Sequence, residues 1–333
     1  MEAKKTGVWR WGINRWLVLA LIVFGVLAAS AYPPVRPHIQ LPAEPLTGVL
    51  FTLPVIGPFR LTNTLVALAL ADILVILLGL SVRRAVASGA LVLRGISGAV
   101  EALLELLYRL TESSAGRWTR HIFPWMGSIV LLVLVANWME LIPGVDSIGI
   151  LEPAEHGGYP IREVANVGGL PIVSVVPLPK GETEVEGGYQ LVPYIRAVST
   201  DLNFTLALAL VSVTMTQVYG IRARGLGYFS KFFNFKELVS GSFFGGINFG
   251  VGILELISEF SKILSFTFRL FANIFAGSVL LFVIGSLVPV FAQSIFLILE
   301  FFVGMIQAIV FGLLTMIFMA QATAGHGDSG SGH

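Results

Sequence analysis

Six apolar stretches, long enough or nearly long enough to cross a bilayer, recur along this sequence. About 20 apolar residues in a helix cross the hydrocarbon core, so each stretch predicts a membrane-spanning helix. Gly and Pro within the stretches, and the lack of alternating strands of about ten residues, favour helices over a β-barrel. We therefore predict an all-α, polytopic membrane protein with spans at 16–31, 61–82, 122–142, 200–220, 253–287 and 291–320.

Composition supports this class and excludes several functions. Hydrophobic residues make up 55% of the chain and charged residues 12%, with a mean hydropathy of +0.84, which is typical of an integral membrane protein. The net charge of +1 provides no general attraction for nucleic acid. Without Cys there are no disulfides, thiol catalysis or cysteine metal sites, and we predict no cofactor.

The distribution of basic residues predicts the orientation of the spans. Cations cluster before the first span, between the second and third, and at 222–236, so these three segments are predicted to be cytoplasmic. The loop 143–193 is then external, and its many carboxylates against few cations agree with that side. The same count of crossings places the C-terminus in the cytoplasm.

The ends of the chain are predicted to differ from its middle. Residues 1–60 contain the first apolar segment and an external linker. That segment fits either a retained helix, which we favour, or a signal peptide cleaved after Ala31. Residues 61–323 form the membrane domain, and the polar Gly/Ser tail at 324–333 is predicted to be disordered.

Three further segments have predicted shapes. Residues 89–120 alternate leucines with charges at helical spacing, which indicates an amphipathic helix on the cytoplasmic surface, and 228–238 repeats the pattern with Phe. The last two apolar stretches each exceed one crossing and are joined by a short linker at 285–290. We therefore predict a long, tilted, antiparallel C-terminal hairpin.

Arg269 is the last Lys or Arg of the chain and lies inside an apolar stretch of helix length. A guanidinium near the bilayer centre costs about 2.5–3.5 kcal/mol on insertion scales, so we interpret it as functional. At about 100° per residue, Arg269 shares one helix face with five other polar residues. This polar stripe consists of Glu255, Ser258, Lys262, Ser265, Arg269 and Asn273. We expect Lys262 to snorkel to the cytoplasmic surface and Glu259, off the stripe, to face headgroups.

A second stripe follows the last span, where Glu300, Gln307, Leu314 and Gln321 recur every seven residues. If the hairpin turns near Val288, Gln307 lies beside Arg269 and Glu300 beside Ala276. The polar groups then form two half-paths, one from each membrane surface, that Arg269 separates.

The central cation predicts a partner outside this chain. Arg269 would block a continuous proton leak, and a protonated acid brought against it would release its proton. No acidic residue of the chain is well placed at that depth, so we infer that the carboxylate belongs to another subunit. A structural ion pair with Glu255 or Glu300 is the alternative. Glu140, at the end of the third span, fits either an interfacial cap or a relay residue, and Asp72 in the second span has no assigned partner.

These residues resemble subunit a of F-type ATP synthases, in ordered agreement from about residue 61 to 323. The resemblance depends on four motifs: Arg269-Leu270-Phe271-Ala272-Asn273 followed by Ala276-Gly277, Gln307-Ala308, Asn137-Trp138-Met139-Glu140-Leu141-Ile142-Pro143, and Asp201-Leu202-Asn203-Phe204-Thr205, together with Glu255 and Ser258. It implies five transmembrane helices of the family, with the N-terminal segment as an addition.

The resemblance implies a stator in the bacterial cell membrane that conducts protons past a ring of c subunits. Arg269 would face each c-subunit carboxylate, with Gln307 beside it. Asn273 and Glu300 would line the outer half-channel, and Glu255, Ser258 and Ser265 the cytoplasmic one. Other implied partners are b-type peripheral stalk subunits, the remaining ATP synthase subunits and the lipid bilayer, with no nucleic acid and no bond chemistry on this chain.

The sequence departs from the family pattern at the outer path. Some members have Glu five residues after the Asn and His seven before the Gln, whereas this chain has Ser278 and Glu300 at those positions. The carboxylate is therefore on the facing helix. A secondary transporter that binds an anionic solute at Arg269 is the alternative function, but paired inverted repeats and interrupted helices, which it predicts, are not evident in the sequence.

Overall fold

The computed structural model describes residues 11–31, 43–54, 57–87, 95–142, 144–154, 158–167, 170–176, 187–225, 227–228, 243–287 and 291–324. Three predictions concern segments largely outside these ranges. They are the Phe-rich amphipathic segment after Tyr228, the centre of the linker between the last two spans, and the polar C-terminal tail.

Seven helices account for most of the described chain, as the apolar stretches predicted. Most begin or end within a few residues of the predicted spans. A helix satisfies the hydrogen bonds of its own backbone, so an apolar segment that crosses a bilayer is helical. The helices are α1 (Trp11–Ala31), α2 (Asn63–Ala87), α3 (Ile96–Ala115), α4 (Thr119–Glu140), α5 (Leu202–Arg224), α6 (Phe243–Leu287) and α7 (Phe291–Thr323).

Among the described residues, five helical segments are long and apolar enough to cross a membrane: Asn63–Ala87, Ile96–Glu140, Leu202–Arg224, Phe249–Leu287 and Ala292–Thr323. Within α1 the apolar stretch Arg15–Leu27 is shorter. The prediction of an all-α polytopic membrane protein is confirmed. Helix α6 begins at Phe243, ten residues before the predicted span at 253, and its membrane-length apolar segment begins at Phe249.

The amphipathic helix predicted at 89–120 corresponds to α3. Its Leu107 is fully buried, whereas Glu101, Glu105 and Arg109 are exposed. Arg109 and Glu105 form an exposed i,i+4 ion pair of 2.6 Å. A short 3₁₀ turn at Gly116–Trp118 then leads into α4.

The sequence analysis missed six short strands. Strands β1 (Phe51–Leu53) and β2 (Gly57–Phe59) pair before α2, and the predicted external loop contains β3 (Gly149–Pro153), β4 (Ile161–Val167), β5 (Leu170–Val175) and β6 (Tyr189–Pro193). The pairs β3–β6 and β4–β5 are antiparallel. Two runs rich in β-branched residues around Gly168-Gly169 were the available signal for the β4–β5 hairpin.

The chain divides into two compact units. The larger comprises Leu41–Asp146, Tyr194–Phe275 and Phe301–His333, and the smaller comprises Met1–Gln40, Ser147–Pro193 and Ala276–Glu300. The core of the larger unit is a cluster of buried side chains from α3 to α7, including Met126, Val130 and Met319. A Cβ atom on Gly312 of α7 would overlap the Val130 side chain, so Gly312 lets α7 approach α4 closely.

Polar contacts fix the start of α2 and of α5. Asp201 caps α5 by accepting from the backbone N–H of Asn203 at 2.9 Å, and it also accepts from the Thr64 hydroxyl at 2.8 Å. Asn63, fully buried, donates to Glu44 at 3.2 Å. Asp201 therefore has a structural role as a helix cap, which explains the acidic first residue of the Asp-x-Asn-x-Thr segment.

Candidate functional site

The polar stripe of α6 lies largely open along the helix. Ser258, Ser265 and Asn273 are exposed, whereas Lys262 and Arg269 are half-buried. Arg269 Nη2 donates to Ser265 Oγ at 3.1 Å, one helical turn earlier. Among the described residues of the larger unit, no carboxylate lies within ion-pair distance of Arg269, so the alternative pairing with Glu255 is not formed.

A groove of about 350 Å³ is lined by part of this stripe. Its polar wall is formed by one face of α6 and its apolar wall includes two residues of α7. The lining residues are Ser258, Ser261, Lys262, Ser265, Phe266, Arg269, Leu314 and Phe318. Four predicted stripe residues therefore share one cavity, while Glu255 and Asn273 lie on the same helix outside its lining.

An apolar seam joins α6 to α7 beside the groove. Phe266, Leu270 and Ile274 belong to the same buried cluster as Ala308 and Phe311 of α7. The rings of Phe266 and Phe311 lie 4.9 Å apart. Dense apolar packing excludes water, so the seam confines polar chemistry to the groove side of Arg269.

Gln307 is half-buried and directly precedes Ala308 in this seam. Arg269 and Gln307 are not hydrogen-bonded to each other within the larger unit as described. Their juxtaposition at the same depth therefore stays a prediction.

The interpretation of Glu259 was wrong, whereas the snorkelling of Lys262 stays a prediction. Lys262 Nζ contacts Glu259 Oε1 at 3.0 Å and lies 4.8 Å from the centre of the Phe318 ring. Glu259 is only 7% exposed and also accepts from Gln217 Nε2 at 2.9 Å, and Tyr228 donates to the Gln217 amide at 2.8 Å. Packing of α5 against α6 buries this face, which helical periodicity alone assigned to headgroups.

Glu300 lies against α6 within the smaller unit. It is 7% exposed, and its Oε1 has no hydrogen-bond partner among the described residues. The position where Gly277 would carry a Cβ is occupied by the Glu300 carboxyl group. The glycine therefore makes room for an acid on the facing helix, next to Ala276 where the sequence predicted it.

A buried amide anchors α7 and was missed as a site element. Asn137 of α4 accepts from the Ser199 hydroxyl at 2.6 Å and donates to the Gly304 carbonyl at 3.2 Å. The adjacent Trp138 donates to the Phe301 carbonyl at 3.1 Å and stacks on its ring at 4.4 Å. These contacts fix how α7 is placed against α4. Glu140, one turn later, is half-buried, and its proposed relay role stays a prediction.

One carboxyl group outside the spans, that of Asp146, has a raised pKa. Burial raises the pKa of Asp146 from 3.8 to about 6, and the nearby Arg196 cation partly opposes this shift. Asp146 lies in a 3₁₀ turn after α4. It therefore titrates at mildly acid pH on the side of the membrane where α4 ends.

The family was identified by comparison with known families. The family described as ATP synthase A chain matches this chain over residues 64–320, which is more than half of its length. The matched range contains the Arg269 segment, Gln307, and the motifs at Asn137 and Asp201. The chain therefore belongs to the ATP synthase A chain family, the proton-channel subunits of the Fo sector, as the resemblance predicted.

Proposed function

We propose that this chain is the stator of a proton-driven rotary complex, in which two offset half-channels meet a ring of c subunits. Arg269 is the fixed cation between the half-channels. Each c-subunit carboxylate loses its proton on reaching Arg269 and takes up another after leaving it. The chain itself makes and breaks no covalent bonds.

The observation that carries this proposal is the state of Arg269. Its guanidinium is half-buried beside the groove, whose lining combines polar residues of α6 with apolar side chains, and the one hydrogen bond that it makes within the described chain goes to a neutral hydroxyl, Ser265. A cation in a membrane-spanning helix needs an anionic partner or water. With no carboxylate of the larger unit paired to it, the groove side of Arg269 is open to an acid from another subunit.

Electrostatics explain how this arrangement couples ion flow to rotation. At an effective dielectric constant of about 20, opposite unit charges 4 Å apart attract by about 4 kcal/mol. That attraction favours the ionised form of an arriving acid by about a thousandfold. The apolar seam behind Arg269 prevents water from joining the two paths, so protons cross only on the moving carboxylates.

We assign the two paths from the positions of the polar residues. Asn273 and Glu300 line the outer half-channel, with Glu140 as a candidate near its mouth. Glu255, Ser258 and Ser265 line the cytoplasmic half-channel, with Gln307 beside Arg269. The C-terminus is cytoplasmic, the complex lies in a bacterial cell membrane, and b-type peripheral stalk subunits hold the stator. Residues 61–323 form the membrane domain.

The test replaces Arg269 in the intact complex. In Arg269→Ala and Arg269→Lys, ATP-driven proton pumping into membrane vesicles should be lost although the complex still assembles. Lys retains the charge but not the rigid, planar guanidinium, so its failure would show that geometry matters. Arg109→Ala is the control, because Arg109 is an exposed cation in a solvated ion pair on α3. Undiminished pumping by the Arg269 variants would overturn the proposal.

Two carboxylate variants separate the half-channels. Glu300→Gln should slow conduction in the outer path, and wild-type rates across pH would place that path elsewhere. Glu255→Gln should slow cytoplasmic exit more mildly, measured as passive proton flux after the soluble sector is removed. Equal rates for Glu255→Gln and wild type would remove Glu255 from the path.

A further inference from the structure

Asp72 is a carboxylate inside a membrane-spanning helix that the proton path does not use. It lies about 14 Å from the first and about 22 Å from the last residue of α2, at about 1.5 Å per residue. Its side chain is exposed, and no donor of the described chain forms a hydrogen bond or ion pair with it. A lipid-facing carboxylate at this depth is strongly disfavoured, so something else covers it.

Another side of α2 is already occupied. Asn63, Thr64, Ala67 and Ala71 are buried, and the two alanines pack with Ala136 of α4. Asp72 lies about 100° around the helix from Ala71. The packing of α2 within the larger unit therefore leaves the face that carries Asp72 uncovered.

That face has the pattern of a helix-packing surface. Ala69, Asp72, Ile76, Gly79 and Arg83 follow one another at alternating spacings of three and four residues, and all five are exposed. This Asp72 stripe has small residues on both sides of the acid, and a Cβ at Gly79 would meet no atom within 4 Å. Small residues at such spacing allow another helix to approach closely.

The N-terminal helix of this chain has no cation in its middle. The apolar stretch of α1, Arg15–Leu27, has its cation at the first position and no hydrogen-bonding side chain after Trp16. Such a helix offers nothing to a carboxylate in the middle of a bilayer.

We propose that the Asp72 stripe is the docking face for a membrane-spanning helix of another subunit, which places a Lys, Arg or His at the depth of Asp72. The charge match selects this occupant, because a buried ion pair with a cation satisfies the carboxylate whereas lipid tails do not. The inference depends on the chain's membership of a multisubunit complex and not on the roles of Arg269 or the half-channels.

Cysteine-directed crosslinking in the intact complex tests the stripe. The chain has no Cys, so single substitutions report one position each. Ile76→Cys and Gly79→Cys, each modified with a photo-crosslinker, should crosslink to one other subunit. Leu77→Cys is the control, because Leu77 is 55% exposed but about 140° from Asp72. It should yield mainly lipid adducts.

The amino-acid sequence of the crosslinked partner tests whether its helix carries a cation at the depth of Asp72. Mass spectrometry of the crosslinked helix should identify a Lys, Arg or His about one turn from the site reached by Ile76→Cys and about two turns from the site reached by Gly79→Cys. Lipid adducts alone at all three positions, a crosslink only to a second copy of this chain, or a partner helix without a cation would each overturn the proposal.

Substitution of Asp72 gives an independent readout. Asp72→Leu should reduce the amount of this partner that co-purifies by roughly tenfold, and Asp72→Asn, which retains hydrogen bonding, by less. A charge swap, in which Asp72→Lys is combined with replacement of the partner's cation by Asp, should restore the amount of partner that co-purifies. Full retention in Asp72→Leu, with this chain present at normal levels, would contradict the ion pair.

Discussion

Gly277→Ala tests whether the position of the Glu300 carboxyl group matters for conduction. The added methyl would overlap the carboxyl carbon and both carboxyl oxygens of Glu300. Those atoms are the end of a flexible side chain, so the acid can rotate away at a cost of about 0.5–1.5 kcal/mol for an unfavourable rotamer. Ala is favoured over Gly in a helix by about 1 kcal/mol, so the two effects nearly cancel.

We therefore expect Gly277→Ala to leave stability almost unchanged and to impair proton conduction. Positioned proton-transfer groups contribute about 10²–10⁴-fold to rates, so displacing one from α6 should lower passive proton flux by at least about tenfold. Flux is measured in vesicles after removal of the soluble sector, and thermal unfolding of the purified complex gives the stability. Gly250→Ala is the matched control, because a Cβ there meets no atom within 4 Å.

A second substitution separates displacement of the acid from a general defect. Asp is shorter than Glu by one methylene group, so Glu300→Asp in the Gly277→Ala background should relieve the overlap and recover part of the flux. Wild-type flux in Gly277→Ala would refute the reasoning, because Glu300 could then move without consequence. Loss of the assembled complex would refute the expected cancellation of energies.

Three further substitutions test packing and electrostatics. Asn137→Leu leaves the Ser199 hydroxyl and an α7 carbonyl unsatisfied and should lower unfolding free energy by about 2–4 kcal/mol, measured by denaturant unfolding. Gly312→Ala should cost about 1–3 kcal/mol in the same assay, because a methyl there overlaps the enclosed Val130; no change would refute the close approach. The pKa of Asp146 is raised on folding, so stability should fall by about 3 kcal/mol as the pH rises from about 3 to about 7. Asp146→Asn should flatten this dependence, and an unaltered profile would contradict it.

The helical class and the principal cation could be predicted from the sequence because both are local properties. Each span is recognisable from the transfer free energy of its own residues, and Arg269 is conspicuous because a cation in such a stretch is costly. The face shared by Ser258, Ser265 and Arg269 follows from the geometry of one helix. The strands before and within the loop 143–193 were missed because short strands are stabilised by their pairing with other segments.

Contacts between helices were decided by the tertiary structure. Periodicity gave the angle of Glu259 on its helix and its i,i+3 spacing from Lys262, but only the placement of α5 shows that Gln217 binds it. The overlap of Glu300 with the Cβ position of Gly277 likewise depends on the rotation and register of two helices. The sequence alone determined which segments enter the membrane and which charge is exceptional. Which polar groups meet depends on side-chain packing between segments distant in sequence, which no single segment specifies.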